Sequence, residues 1–257
     1  MDQDDSGPSP TRTEVLGVPV DAINMDSALN MVRAMLAGDS PHLIFAVNPE
    51  KVIQAQDNPR LLAALKRASL LVPDGIGVVM AARLLHGIRM QRVPGSDLMP
   101  AICEVAAAAG HSAFLYGAKP GVADEAAALL QKRYPGLRIA GTQHGYIPEQ
   151  ETSALIQRIN SSGAALLFVG LGSPRQEYWL DQYQNELQVQ VCQGVGGTFD
   201  AICGNPKRAP RWLQRIYLEW LHRLILQPRR AGRQSALPQF VMKLIGTLVT
   251  RKNQDSG

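Results

Sequence analysis

Apolar runs of strand length alternate with amphipathic segments of helix length along most of this chain. The strand-like runs are residues 42–48, 69–75, 112–121, 137–147, 164–174 and 189–197. The helix-like segments are residues 49–68, 76–87, 122–136, a stretch near 149–160, and 175–187. Because strands that alternate with helices build parallel sheets, the pattern predicts an α/β fold with a Rossmann-like, mostly parallel sheet and flanking helices.

The ends of the chain differ in character from this middle part. The first residues, MDQDDSGPSPTRT, are polar and predict a disordered tail over residues 1–12, followed by an α/β core over residues 13–204. No apolar run reaches the length of a spanning helix, and nothing at the N-terminus resembles a signal peptide. The three scattered cysteines, Cys103, Cys192 and Cys203, are typical of a reducing compartment. We therefore expect a cytoplasmic protein, free or attached to a membrane surface.

Ligands of open parallel sheets bind beyond the carboxyl ends of the strands, so the residues that close each strand matter most. Here those ends are Asn48, residues 73–75, 116–117, 144–146, 170–174 and 194–197. Most contain glycine followed by a helix, an arrangement that suits phosphate because backbone amides are approached closely there. The alternative is that these glycines only form turns. Several in one sheet favour a nucleotide or diphosphate site, with His144 also placed to reach a ligand.

Asp74 is the strongest single candidate for a catalytic residue. It follows a buried run, lies between Pro73 and Gly75, and precedes a helix, so it places a carboxylate at the mouth of the sheet. One interpretation is an ordinary turn or helix-capping residue. The other is a general base that takes a proton from an acceptor hydroxyl.

The segment GLGSPRQEYW poses a second question. Glu177 is placed as a capping acid in the first turn of a helix, which explains it structurally. Gln176 has no such explanation and could hydrogen-bond a sugar or a base.

No metal-binding pattern accompanies the sheet. The D-x-D at residues 2–4 lies in the N-terminal tail, and the five histidines show no paired spacing. We therefore expect chemistry without a metal or other cofactor.

The C-terminal segment, residues 205–257, carries eleven Lys or Arg against two acids, whereas residues 1–204 carry fifteen bases and twenty acids. On a helical template, residues 212–225 and 238–252 each form an apolar stripe flanked by cations, which predicts a basic amphipathic helical appendage. An ordinary helix packed on the core and a nucleic-acid-binding segment are two interpretations, although the chain lacks a nucleic-acid-binding motif. The third is docking on an anionic membrane, with arginines that also suit a lipid diphosphate.

Six motifs in order resemble one family. They are PDGIGVV, the R-x-x-G-x-D-L of residues 92–98, FLYGAKPGV, GLGSPRQE, GVGGTFD-x-x-x-G and the closing KRAP…LEWLHRLILQPRR. From about residue 15 to residue 233 the chain is similar to the WecG/TagA/CpsF glycosyltransferases, glycosyltransferase family 26. Such enzymes invert the anomeric centre as they move a sugar, often N-acetylmannosamine, from a UDP-sugar to an undecaprenyl-diphosphate-linked sugar.

The resemblance implies roles for particular residues. It assigns the base to Asp74, with Asn48 and Gln176 beside it, and the nucleotide side to Arg92, Gly145 and Asp200. It also assigns the tail to membrane docking, where Arg223, Arg230 and Arg233 would close over the lipid diphosphate. In one departure, the family's usual Thr two residues before the pocket Asn is Ala46 here.

Two other function classes stay open on the sequence. An NAD-dependent oxidoreductase would also use glycine loops on an α/β sheet, but no G-x-G-x-x-G is present. A non-catalytic membrane adaptor would use the tail alone. The partners expected from the main interpretation are a UDP-sugar, a polyprenyl-diphosphate-linked acceptor and an anionic membrane surface, without nucleic acid and with a homo-oligomer possible.

Overall fold

A computed structural model describes residues 10–205, 213 and 236–254 of the protein. Its strands are β1 (Arg12–Val15), β2 (Val18–Asp21), β3 (His42–Val47), β4 (Leu70–Pro73), β5 (Ser112–Gly117), β6 (Arg138–Gln143), β7 (Leu166–Gly170) and β8 (Val191–Gly194). Its helices are α1 (Met25–Leu36), α2 (Pro49–Gln56), α3 (Pro59–Arg67), α4 (Ile76–His86), α5 (Gly95–Ala109), α6 (Val122–Arg133), α7 (Thr152–Ser161), α8 (Arg175–Tyr183), α9 (Thr198–Ile202) and α10 (Ala236–Gln254).

Six strands form one parallel sheet in the order β4-β3-β8-β7-β5-β6. Along the strands, successive apolar side chains point to opposite faces of the sheet, and they build a core on both faces. Phe45, Leu71 and Leu167 belong to one core cluster, and Ile44 and Leu166 to the other. The predicted α/β fold with a parallel sheet and flanking helices is therefore confirmed, and all six predicted strands are present.

The segment predicted as one helix over residues 49–68 is two helices. Asn58 caps α3 by accepting a hydrogen bond from the Leu61 amide at 3.1 Å, and Pro59 occupies its first turn. Proline has no N–H to continue a helix and disfavours helical backbone at the residue before it, so the chain breaks between Gln56 and Pro59. The predicted helix over residues 76–87 is confirmed, with Gly87 in the left-handed conformation at its end.

A β-hairpin that the sequence pattern did not predict precedes the sheet. β1 and β2 are antiparallel, and Leu16 and Gly17 turn between them with φ angles of 51° and 82°. Asp21 accepts from the Arg12 guanidinium at 2.8 Å and from the Leu71 amide at 2.7 Å, which ties the hairpin to β4. Arg12, assigned from the sequence to the tail, is thus the first residue of this hairpin.

α10 packs across α2 and α4 through Phe240 and Leu244, which are buried. A Cβ added at Gly77, in the first turn of α4, would stand 3.6 Å from the Phe240 ring and 2.8 Å from Pro49, so that turn has no room for a side chain. The apolar stripe predicted for this segment therefore divides. Part of it is core, while Val241 and Ile245 are exposed.

Candidate active site

The carboxyl ends of β3 and β4 lie side by side and bring Asn48 next to Asp74. In the parallel register Val47 pairs with Pro73, and the Asp74 amide donates to the Val47 carbonyl at 2.8 Å. Gly75, with φ 120°, turns the chain into α4, and a Cβ there would lie 3.9 Å from the Asn48 Cβ. The close pairing expected of these strand ends is present.

Arg92 reaches the same place from the loop between α4 and α5. The Val93 amide donates to the Pro73 carbonyl at 2.8 Å and fixes this loop against the end of β4. Arg92 Nη2 lies 4.0 Å from Asp74 Oδ1, and the two side chains are 20% and 27% exposed, respectively. A partly exposed carboxylate thus stands beside a guanidinium at the mouth of the sheet.

Gly95, the first residue of α5, packs between Ala46 and the Asp74 carboxylate. A Cβ at Gly95 would lie 3.3 Å from the Ala46 Cβ and 4.0 Å from Asp74 Oδ2. Ala46, at the position where the family resemblance leads us to expect Thr, therefore lies close to Asp74 and offers no hydroxyl there.

Asn48 has a structural task as well. Its Oδ1 accepts a hydrogen bond from the Lys51 amide at 2.9 Å and caps α2, and Pro49 stands in the first turn of that helix. The capping bond occupies Oδ1, so a contact with a ligand would use the Nδ2 group of Asn48. That contact stays a prediction.

Gln176 and Glu177 are buried beneath the site. Gln176 Oε1 accepts from the Gly196 amide at 2.8 Å, and its Nε2 donates to Glu177 Oε1 at 3.0 Å. Both ends of the Gln176 amide therefore bind protein groups. A role in binding sugar or base stays a prediction.

Glu177 lies in the first turn of α8, as predicted, but its side chain does more than complement the start of that helix. Its side chain is fully buried, and Oε1 accepts from Lys51 Nζ at 2.6 Å. Burial alone would raise the pKa of Glu177, but the charge and hydrogen bond of Lys51, together with Gln176, outweigh it and hold the pKa below the ordinary value. Lys51 was not predicted, because a lysine between Glu50 and Val52 carries no signal of burial.

Gly145 lies at the other end of the sheet. Its amide donates to the Ala118 carbonyl at 2.9 Å, and a Cβ would stand 2.7 Å from Leu171 and 3.2 Å from the Gly117 Cα. The position thus lies against the ends of β5 and β7, three to four strands away from β4 and Asp74 in the order of the sheet. A Cβ at this crowded position would collide with its neighbours.

Asp200 follows β8, the strand next to β3, and lies in the first turn of α9. Burial, then Glu125, and then the charge of Asp200 raise the pKa of the nearby Cys203 thiol to about 11. The structure thus brings Asn48, Asp74 and Arg92 together at the ends of β3 and β4. Gln176 and Asp200 lie at the end of the neighbouring β8, and Gly145 lies farther away, against the ends of β5 and β7. A shared nucleotide for Arg92, Gly145 and Asp200 stays a prediction.

The sequence model of the glycosyl transferase WecG/TagA/CpsF family matches residues 13–254, nearly the whole chain. The chain belongs to this family. It is 36% identical over 202 residues to the N-acetylglucosaminyldiphosphoundecaprenol N-acetyl-beta-D-mannosaminyltransferase of Bacillus spizizenii, an alignment that covers 79% of this chain and 78% of the relative. It is 33% identical over 235 residues to the protein of the same name from Staphylococcus aureus, with 91% and 92% of the two chains covered.

The predicted glycosyltransferase activity and hexosyltransferase class are thereby confirmed. The family fits this prediction and neither of the alternatives, an NAD-dependent oxidoreductase or a non-catalytic adaptor. Of the residues assigned to the glycosyltransferase by resemblance, Arg223, Arg230 and Arg233 lie outside the described residues. So does the first of the two apolar stripes, apart from Leu213.

Elsewhere in the enzyme, a cavity of about 700 Å³ lies between the β1–β2 turn, the last turn of α4 and α10. Its lining includes His86, Lys243 and Arg251, far from Asp74, because α4 starts at the carboxyl edge of the sheet and ends here. Within residues 10–205, 213 and 236–254, no cluster of three or more potential metal ligands occurs. Nor is any helix in that part of the chain long and apolar enough to cross a membrane.

Proposed function

We propose that this glycosyltransferase moves N-acetylmannosamine, or a related hexose, from a UDP-sugar to an undecaprenyl-diphosphate-linked sugar in the synthesis of a cell-surface polysaccharide. The names of the two relatives support the acceptor, N-acetylglucosamine linked to undecaprenyl diphosphate, and the transferred sugar, N-acetylmannosamine. The observation that carries the mechanism is the position of Asp74, a partly exposed carboxylate at the carboxyl edge of the sheet, beside the Arg92 guanidinium.

The reaction needs one proton transfer and one displacement. Asp74 takes the proton of the acceptor hydroxyl, and the oxygen forms a bond to the anomeric carbon on the face opposite the nucleotide. The bond between that carbon and the UDP oxygen breaks, and its electron pair leaves with the diphosphate. This single displacement inverts the anomeric centre, in accord with the β-linkage in the relatives' names.

Arg92 is placed to stabilise the charge that develops in this step. Its guanidinium lies beside Asp74, and a fixed cation near a departing diphosphate lowers the barrier most where water is excluded. We extend the proposal to catalysis without a metal ion, since no D-x-D motif occurs at a strand end of the sequence.

The proposal includes docking on the cytoplasmic face of an anionic membrane through α10. Val241, Ile245 and Val249 recur every fourth residue and are 50–55% exposed, and Lys243 and Arg251 lie on the same helix. On the adjoining α4, Met80 and Leu84 are 54% and 55% exposed. Apolar side chains flanked by cations suit the boundary between lipid headgroups and acyl chains.

A transfer assay tests the reaction. The purified enzyme is given a panel of UDP-sugars and a short-chain polyprenyl-diphosphate N-acetylglucosamine, with and without EDTA. We expect a β-linked product with UDP-N-acetylmannosamine or one close hexose, unchanged by EDTA. The proposal would be contradicted if none of the UDP-sugars supported transfer and if NAD, but not UDP, raised the melting temperature of the enzyme.

Flotation with vesicles that contain anionic phospholipid tests the membrane contact. Ile245→Glu places a charge in the exposed apolar stripe and should reduce vesicle binding at least about tenfold, since a charge is costly below the headgroups. Gln239→Glu is the matched control, because it adds the same charge at another exposed position of α10. Equal loss in both variants would mean that only net charge matters.

A further inference from the structure

Hydrogen bonds that are connected through the side chain of Lys51 run beneath the carboxyl edge of the sheet and join the ends of β3 and β8. Gly196 N–H donates to Gln176 Oε1 at 2.8 Å, and Gln176 Nε2 donates to Glu177 Oε1 at 3.0 Å. Lys51 Nζ donates to the same Glu177 oxygen at 2.6 Å, and the Lys51 amide donates to Asn48 Oδ1 at 2.9 Å. The chain thus connects two strand ends that the sheet places side by side.

These groups are buried to an extent that needs a reason. Gln176, Glu177 and Lys51 are 3%, 0% and 5% exposed, and they come from two helices on the same face of the sheet. Removing an ammonium and a carboxylate from water costs several kcal/mol per ion, and well-packed apolar residues often stabilise a fold as well or better. Stability alone therefore does not account for an ion pair at this place.

The far end of the chain is the glycine loop over residues 194–197. A Cβ at Gly194 would lie 2.8 Å from Gln176 Nε2, and Gly196 has a φ of 56°. The Gln176 amide thus fills the space under the loop and binds its backbone. The opposite side of the loop faces the carboxyl edge, where ligands of parallel sheets bind.

We propose that Lys51 and Glu177 are positioning residues for the donor side of the active site. They hold the Gln176 amide in one orientation, and Gln176 holds the 194–197 loop in the shape that meets the donor nucleotide. Through Asn48, the same chain ties the loop to the end of β3, beside Asp74. This inference rests on the proposed function for the identity of the ligand, a nucleoside diphosphate, but the ordering of the loop does not depend on it.

A second ion pair on α8 provides a matched control. Arg67 of α3 pairs with Asp181 at 2.6 Å, with its side chain 53% exposed, and no hydrogen bond links this pair to the loop. Like the pair of Lys51 and Glu177, this pair joins α8 to another helix on the same face of the sheet. Asp181→Asn therefore removes an ion pair from α8 without disturbing the proposed chain.

The experiment compares Glu177→Gln, the double variant Lys51→Met/Glu177→Leu, and Asp181→Asn in the full-length enzyme. Glu177→Gln keeps the shape and removes the charge. The double variant replaces both buried ions by apolar groups of similar size. It should therefore keep the stability of the wild type but lose the hydrogen bonds of Lys51 and Glu177. Three quantities are measured for each: hydrogen–deuterium exchange of the 194–197 amides, UDP affinity by calorimetry together with the donor KM and kcat, and the urea midpoint.

We expect the loop amides to exchange at least about tenfold faster in Glu177→Gln and in the double variant. We also expect the UDP Kd and the donor KM to rise about 10–100-fold, the range typical of outer-shell positioning partners, with a smaller change in kcat. The double variant should show this loss although its urea midpoint is close to that of the wild type. Asp181→Asn should match the wild type in exchange and in UDP affinity.

A double variant with wild-type loop protection would overturn the inference, because the ion pair would then serve only the stability of the fold. Failure of the wild-type enzyme to bind UDP is a different result. It would contradict the proposed donor, while the exchange measurement would still decide whether Lys51 and Glu177 order the loop.

Discussion

Two ion pairs lie at the same edge of the sheet and differ in every respect that matters for chemistry. Asp74 and Arg92 are 4.0 Å apart and partly exposed, whereas Lys51 and Glu177 are 2.6 Å apart with side chains at most 6% exposed. Glu177 Oε1 accepts from both Lys51 and Gln176, and a carboxylate so bound and buried is a poor base for a substrate. The exposed pair of Asp74 and Arg92 is the one that a hydroxyl can approach. A carboxylate beside a cation can therefore serve catalysis at one position and stabilise the structure at the other.

Asp74→Asn gives the sharpest test of this contrast. Asparagine keeps the shape but accepts no proton at neutral pH, so we expect kcat to fall about 10²–10⁴-fold, the usual contribution of a general base. UDP affinity and the melting temperature should stay near their wild-type values. Transfer close to the wild-type rate would remove Asp74 from the role of base.

Lys51→Met tests the closed pair. The substitution leaves the Glu177 carboxylate buried without its cation, and stranded charges of this kind cost about 3–5 kcal/mol of unfolding free energy. Urea unfolding at pH 7 measures it. A loss below about 1 kcal/mol, the level of an exposed pair, would show that the two ion pairs differ less than their geometry indicates.

The pH dependence of stability provides a smaller effect with a definite sign. Since the folded pKa of Glu177 lies below its ordinary value, its contribution to stability is fully present above the unfolded pKa, about 4.3, and is lost as the pH falls through the folded value. We expect the wild type to lose more unfolding free energy than Lys51→Met/Glu177→Leu between pH 5 and the acid limit. Parallel losses in urea titrations at several pH values would contradict this.

The contrast between the two pairs also marks what the sequence predicts and what it does not. Parallel β–α alternation was enough to predict that Asn48 and Asp74 lie at the same edge of the sheet, because strand ends of a parallel sheet share an edge. That the two residues are neighbours was implied only by the family resemblance, and the pairing of β3 with β4 places them side by side. The Asn58-Pro59 break between α2 and α3 carried a visible signal, a cap residue before a proline, that the apolar periodicity concealed. Composition and spacing carried no such signal for the burial of Lys51.

Long-range pairing explains these failures. Lys51 meets Glu177 across 126 residues of sequence, and the two side chains meet only because the fold places α2 and α8 on the same face of the sheet. Arg92 is similar, since its place beside Asp74 depends on the Val93 hydrogen bond to Pro73, and the sequence identified it only through family resemblance. Side chains that act where their own strand ends are predictable, whereas those delivered by a distant helix or loop are not.

The exposed Arg67–Asp181 pair sets the lower end of the comparison. Arg67 makes two hydrogen bonds of 2.6 Å to Asp181, yet its side chain is 53% exposed, so solvent and salt screen the attraction. We expect Asp181→Asn to change the unfolding free energy by less than about 1 kcal/mol, with a smaller difference still in 1 M salt. Urea unfolding at low and high salt measures both. A cost that approached that of Lys51→Met and persisted in salt would mean that geometry, and not burial, separates the structural ion pairs of this enzyme.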